Sequence, residues 1–110
     1  MTSSQQQKAH NPCFGCGTEN TAGLGINSYW SDSDEQLAIC QFQPLKQHVA
    51  GSKKFVNGAI IATVVDCHCV CTAMADAYRR ANRGIGTSPA LWYATASLQV
   101  NYLRPLLTNH

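Results

Sequence analysis

Charge is scarce in this sequence. Only 13% of its 110 residues are Asp, Glu, Lys or Arg, and the formal net charge is +2. The lysines and arginines are scattered and form no basic stripe between aromatic residues, which make up 8% of the chain. Because nucleic-acid-binding domains concentrate positive charge on one face, the composition predicts no nucleic-acid partner.

An uninterrupted apolar run is also lacking. The N-terminal residues MTSSQQQKAHN contain no apolar stretch of the kind that a signal peptide needs, and the longest apolar run, residues 56–73, contains Asp66 and His68. We therefore expect neither a signal peptide nor a membrane partner, and we expect a cytoplasmic location. In the cytoplasm the six cysteines would be reduced thiols rather than a disulfide framework.

The apolar content that is present is enough for one domain. Hydrophobic residues make up 45% of the chain, which allows a modest core at this length. We predict a flexible polar leader over residues 1–12 and a single domain over residues 13–110.

Alternating apolar and polar residues predict three strands. Residues 24–30 and 36–42 flank a turn-forming segment and predict a hairpin, and residues 91–103 alternate up to Pro105 and predict a third strand. Between them we predict a helix that begins at the capping residue Asn57, ends at Ala81 or Asn82 and has Gly84 as its stop signal. Its first half is apolar on nearly every side, which predicts a helix enclosed by a sheet in an α+β fold.

Asp66 is the only carboxylate in the apolar run of residues 56–73. A buried carboxylate costs several kcal/mol unless it is paired or hydrogen-bonded, so its retention needs a reason. The residues alone leave a structural and a catalytic interpretation open. His68 follows about 200° further around the helix, so we predict that it serves packing or an interface.

Several motifs together carry a resemblance to a known family. The sequence contains CFGCG at 13–17, VNGAII at 56–61 with Asp66 after it, TASL at 95–98 and NYLRP at 101–105. In this order and spacing they resemble the hotdog-fold acyl-CoA thioesterases of the phenylacetyl-CoA thioesterase type. The resemblance implies an antiparallel sheet wrapped around one long central helix. Relative to that pattern the chain lacks the last two strands, so we expect a C-terminally truncated fragment or a short variant with exposed helix and sheet-edge surface.

The resemblance also implies roles for individual residues. It implies hydrolysis of acyl-CoA thioesters, with the helix start at Asn57 and Gly58 polarising the carbonyl and Asp66 acting as nucleophile or general base. It places a hydroxyl at Thr95. We expect no cofactor, because coenzyme A is part of the substrate. Substrate contacts are expected from four further residues: Ala59 beside the helix start, Ser97 as the alternative hydroxyl, Tyr93 in the tunnel lining and Arg104 near a coenzyme A phosphate.

Two departures from the family pattern favour an alternative function. Asn57 stands where many relatives have His, and Ala59 stands where a second Gly is common. The alternative is a non-catalytic hotdog protein that binds an acyl chain or acts as a scaffold.

The spacing of Gly58 and Asp66 predicts a homo-oligomer. Eight residues on one helix separate them by about 12 Å, whereas an oxyanion donor sits about 3 Å from its oxygen. One chain therefore cannot form a complete site, and two antiparallel central helices across a two-fold axis could form two. We expect a dimer or a dimer of dimers.

The cysteines leave a metal interpretation open but disfavoured. Cys13 and Cys16 form a CxxC that resembles half of a zinc knuckle, but a structural zinc needs four ligands and no second CxxC or HxxxH follows. A metal would have to borrow His10, Cys40 or a neighbouring chain, so we predict no metal site. On the helix, Cys67 and Cys71 share a face and Cys69 points away, which is typical of small buried side chains.

Overall fold

The computed structural model describes residues 2–8 and 10–108. Two short strands, β1 (Ser28–Trp30) and β2 (Ala38–Cys40), precede a turn of 3-10 helix at Lys46–His48 and a long helix, α1 (Gly58–Arg80). The strands form an antiparallel two-stranded sheet, and α1 packs against it. The predicted α+β class is thus confirmed at the level of one long helix on a small antiparallel sheet.

The predicted hairpin forms, but its strands are shorter than expected. Tyr29 pairs with Ile39 at the centre of the ladder. The turn is closed by the Ser31 N–H, which donates to the Leu37 carbonyl at 2.7 Å. Gly25 has a φ of 65°, which interrupts the extended backbone, so the first strand begins at Ser28 instead of residue 24.

Helix α1 begins where the sequence predicts. The Asn57 side chain accepts a hydrogen bond from the Ala59 N–H at 2.8 Å and so caps the first turn. Over 23 residues the helix is continuous and about 34 Å long.

The end of α1 corrects the predicted stop signal. Asn82, and not Gly84, adopts the left-handed conformation that ends the helix, with a φ of 55°. The Asn82 N–H donates to the Arg79 carbonyl at 3.0 Å, and the Arg83 N–H donates to the Tyr78 carbonyl at 2.9 Å. This is a Schellman motif, and Asn tolerates its left-handed position because its short polar side chain costs little there.

The core lies against the second half of α1. Cys67, Cys71 and Met74 are buried there and pack with Ile26 and Cys16. No residue of the first half, 58–66, is buried. The expectation that a sheet encloses the first half is therefore wrong for this chain, because the described sheet has only two strands of three residues each.

The helix has the length and apolar composition of a membrane span. Its mean hydropathy reaches 1.6, and it is the one helix in the described ranges that meets this criterion. A core helix of a soluble protein meets the same criterion, so this is weak evidence for a span. The expectation of no membrane partner stays a prediction.

The predicted third strand is absent. Residues 91–103 form no strand within the described part of the chain, and residues 92–99 are all exposed. Alternation alone does not make a strand, because the backbone groups also need a neighbouring strand. Pairing occurs further on, where Leu107 bridges Phe55 and the Thr108 N–H donates to the Lys54 carbonyl at 2.9 Å.

The leader residues 2–8, predicted to be flexible, lie against β1. Gln5 is buried, and its amide both donates to the Ser28 hydroxyl at 2.9 Å and accepts from the Ser28 N–H at 2.7 Å. The buried Lys8 lies over the Trp92 ring, with its nitrogen 3.6 Å from the ring centroid, and donates to the Leu91 carbonyl. These contacts attach the start of the 91–103 segment to the rest of the domain.

Candidate active site

Asp66 and Thr95 meet at the middle of α1. Asp66 is half-buried, and the Thr95 hydroxyl donates a hydrogen bond to its carboxylate. Two residues that the resemblance assigns to one site are thus in direct contact, although they lie 29 positions apart in the sequence. His68 points elsewhere, because its Nδ1 lies 2.8 Å from the Ser28 hydroxyl of β1. The predicted role in packing or an interface stays a prediction.

A cavity of about 260 Å³ lies beside this pair. Four consecutive residues, 92–95, line one wall, which an alternating strand could not do because its side chains point to opposite faces. Tyr93, a predicted tunnel residue, is among them. The cavity has the following lining: Asn11, Cys13, Cys16, Asp66, Cys67, Val70, Cys71, Met74, Trp92, Tyr93, Ala94 and Thr95.

The predicted oxyanion site at the helix start lies outside this cavity. Asn57 uses its side chain to cap the helix, and Gly58 is the first helical residue, where a backbone N–H has no partner inside the helix. The Tyr102 hydroxyl donates to the Gly58 carbonyl at 2.6 Å and covers this end. Ala59 is exposed beside it. Within the described ranges, neither Asn57 nor Gly58 lines the cavity.

Two further predicted substrate residues are exposed. Ser97 and Arg104 lie in the exposed segment after Thr95, and neither lines the cavity beside Asp66. The chain therefore brings together Asp66, Thr95 and Tyr93, and leaves the helix start and the two exposed residues apart from them.

Trp92 also lines a larger depression of about 600 Å³. Its described lining carries no carboxylate, and its buried cation, Lys8, is already engaged by the Leu91 carbonyl and the Trp92 ring. Its other ionisable residue, His10, is exposed and lies 3.1 Å from Glu19. This depression offers no acid–base pair, so the smaller cavity is the better candidate.

A cluster of four thiols is the feature that the sequence prediction missed. The Cys13 Sγ lies 3.8 Å from the Cys67 Sγ, and the Cys16 Sγ lies 3.7 Å from the Cys71 Sγ. Cys67 and Cys71 are buried and Cys69 is exposed, so the predicted helix faces are confirmed. The spacing of Cys67 and Cys71 was the available signal, because two cysteines four residues apart on a helix present both sulfurs to one neighbour.

The thiols of the cluster are electrostatically linked. The neighbouring Cys67 and Cys71 thiols lower the pKa of Cys16. Hydrogen bonds to Cys16, together with burial, raise the pKa of Cys67 and of Cys71.

The loop that carries Cys13 and Cys16 is tightly built onto α1. The Gly17 N–H donates to the Cys13 carbonyl at 2.8 Å and closes the turn. A Cβ at Gly15 would lie 2.2 Å from the Cys67 Sγ, so only glycine allows this approach.

Scans of the chain against protein-family models, curated proteins and solved structures found no match.

Proposed function

We propose that this chain is one protomer of a hotdog-type acyl-CoA thioesterase, which hydrolyses a thioester at a site shared by two copies. The observation that carries the proposal is the hydrogen bond from the Thr95 hydroxyl to the Asp66 carboxylate at the wall of a cavity. A carboxylate that is oriented in this way can activate a water molecule or attack a carbonyl beside it.

Two routes are open to Asp66. In the first, Asp66 takes a proton from a water molecule that attacks the thioester carbonyl, and collapse of the tetrahedral intermediate expels coenzyme A as its thiolate. In the second, Asp66 attacks the carbonyl itself, the carbon–sulfur bond breaks to release the coenzyme A thiolate, and water then hydrolyses the resulting anhydride. Thr95 serves both routes, because its hydrogen bond holds the carboxylate in one orientation.

The cavity is slightly smaller than a typical small-molecule site, so we propose that it takes only a small acyl group. Small-molecule sites usually enclose about 300–1,000 Å³, and this one has about 260 Å³. An acyl group would lie against Tyr93 with coenzyme A outside the cavity. The exposed Arg104 is then a candidate partner of a coenzyme A phosphate, and Ala59 and Ser97 remain proposed substrate contacts.

A second copy of the chain would complete the site. Gly58 and Asp66 are about 12 Å apart along α1, so the N–H groups that stabilise the oxyanion at Asp66 would come from the helix start of the other protomer. Soluble monomers rarely expose large contiguous apolar patches. Residues 92–107 expose several large apolar side chains, and this exposure supports a dimer or a dimer of dimers. These side chains are Trp92, Tyr93, Leu98, Tyr102, Leu103, Leu106 and Leu107.

Thioester hydrolysis is tested with purified protein and short, medium and aromatic acyl-CoAs, with release of free thiol as the signal. Asp66→Asn should lower kcat/KM by about 100-fold or more, because it removes the acid–base group. Thr95→Val should lower it less, and Thr95→Ser should restore it. Asp76→Asn, on the same helix but outside the cavity, is the matched control. Equal rates in the wild type and in Asp66→Asn would remove Asp66 from the mechanism.

Mixing two inactive variants tests the shared site. Asp66→Asn lacks the carboxylate, and Gly58→Val blocks the helix start. A heterodimer of the two keeps one intact site, so a re-equilibrated equal mixture should recover about a quarter of the wild-type activity. No recovery from a mixture that forms heterodimers would contradict a site built from two chains.

One observation favours the non-catalytic alternative. The Asn57 side chain caps α1 and is not free to bind a carbonyl. A protein that binds acyl-CoA in a fluorescence titration, but releases no thiol from any of the substrates, would support acyl binding or a scaffold role instead.

A further inference from the structure

We propose that Cys13, Cys16, Cys67 and Cys71 form a structural zinc site that holds the N-terminal loop on α1. Two of the ligands come from the CxxC of the loop, and two come from successive turns of the helix. This inference does not depend on thioesterase activity.

The sulfur positions fit a tetrahedral metal. Zinc–sulfur bonds are about 2.3 Å long, which makes each edge of a ZnS₄ tetrahedron about 3.8 Å. The Cys13–Cys67 and Cys16–Cys71 sulfur pairs are separated by 3.8 Å and 3.7 Å. The sulfurs of Cys13, Cys16 and Cys67 all lie within 4.8 Å of one another, and Cys71 lies outside this group of three but contacts Cys16, so binding a metal through all four would draw the Cys71 sulfur inward. A disulfide would instead need about 2.05 Å between sulfurs.

The ligand set has the composition of a closed site. Four cysteine sulfurs without a water position are typical of structural zinc, whereas catalytic zinc keeps one position open. Cys16, Cys67 and Cys71 are buried and Cys13 is half-buried. The zinc would therefore add stability and position the loop, and it would form part of the wall of the cavity beside Asp66, which these four cysteines line.

The loop also has the local geometry that a CxxC ligand pair needs. The Asn11 side chain accepts from the Cys13 N–H at 3.1 Å, and the Gly17 N–H donates to the Cys13 carbonyl at 2.8 Å. These bonds hold the turn between the two cysteines. Gly15 lets the turn approach Cys67, since a side chain there would meet its sulfur. The turn and the helix are thus shaped to bring both cysteine pairs together without the metal.

The zinc content of the full chain tests the proposal directly. Protein expressed with zinc and purified under reducing conditions should contain one zinc ion per chain by elemental analysis. Cys16→Ser and Cys67→Ser should each lose most of the metal. Cys69→Ser is the matched control, because Cys69 lies between the helix ligands but is exposed, and it should keep the metal.

A cobalt titration covers the case in which the cysteine variants do not fold. Wild-type protein stripped with a chelator should bind one Co²⁺ per chain with the intense visible absorption of tetrahedral thiolate coordination, and zinc should displace it. Zinc should also raise the melting temperature of the stripped protein, since binding to the folded state alone stabilises it. A wild-type protein that neither holds zinc nor gives the tetrahedral cobalt spectrum would overturn the proposal.

Discussion

The two halves of α1 differ in what covers them. The second half carries Met74 and Tyr78, which are 5% and 0% exposed, and it is covered by the cysteine loop, the hairpin and the leader. The first half is equally apolar in sequence, but none of its residues is buried and Val65 is 37% exposed. An apolar sequence therefore shows which parts of a helix can be buried. The segments that pack against the helix decide which of those parts are buried.

Truncation of a core side chain in the second half of α1 should have the largest effect on stability. Met74→Ala removes a buried side chain from the centre of the core, so it should lower the free energy of unfolding by about 2–5 kcal/mol. Val65→Ala in the first half should change it by less than about 0.5 kcal/mol in the monomer. Chemical denaturation at low protein concentration measures both. Equal losses would mean that the first half is covered as well as the second.

Overpacking under the loop should have the next largest effect. Gly15→Ala places a Cβ against the Cys67 sulfur and only 2.9 Å from Thr63, which should cost about 1–3 kcal/mol of unfolding free energy. Gly51→Ala is the control, because no atom of the described residues lies within 4 Å of its added Cβ. Thermal and chemical unfolding compare the two variants. A Gly15→Ala protein as stable as the Gly51→Ala protein would contradict the tight fit of the loop on α1.

Loss of the helix cap should test the less covered half. Asn57→Ala removes the acceptor of the Ala59 N–H and should lower the free energy of unfolding by about 0.5–2 kcal/mol, whereas Asn57→Asp should keep most of it. Urea unfolding of the three proteins measures the difference. No loss in Asn57→Ala would mean that the first turn is frayed in solution.

The smallest effect is expected at the far end of α1. Arg79 and Arg80 hydrogen-bond to Asp76 at 2.9 Å and 2.6 Å and lower the pKa of its carboxyl. Since the folded-state pKa is the lower one, this contribution to stability is present above the unfolded pKa of about 4 and is lost as the pH falls through the folded value. Asp76→Asn should slightly weaken the acid dependence of unfolding below about pH 5. An unchanged pH profile would show that these pairs contribute nothing.

The hairpin and the start of α1 could be predicted because their signals are local. Asn57 caps the helix through an atom two residues from its donor, and the turn between the strands is defined by neighbouring residues. The failure of residues 91–103 to form a strand could not be predicted in this way. The alternation of these residues describes two faces, but a strand also needs a partner, and the described chain pairs residues 106–108 with 54–56 instead.

The candidate site could likewise be predicted only in part from the sequence. Asp66 stood out because a carboxylate is rare in an apolar run, and family resemblance suggested Thr95 as its neighbour. The thiol cluster was missed because Cys13 and Cys67 are 54 positions apart and belong to different local patterns. A search for a second CxxC could not find Cys67 and Cys71, because they are four residues apart. One turn of the helix places their sulfurs on the same face.

The sequence by itself determined a long apolar helix with one carboxylate, its N-terminal cap and the shared face of Cys67 and Cys71. These features depend on hydrogen bonds and periodicity within a few residues. Only the tertiary structure decided that Thr95 contacts Asp66, that the CxxC loop meets the helix cysteines and that the first half of α1 is left half-exposed. Those contacts join distant segments, and they form only where packing of the whole chain offsets the entropy of closing long loops.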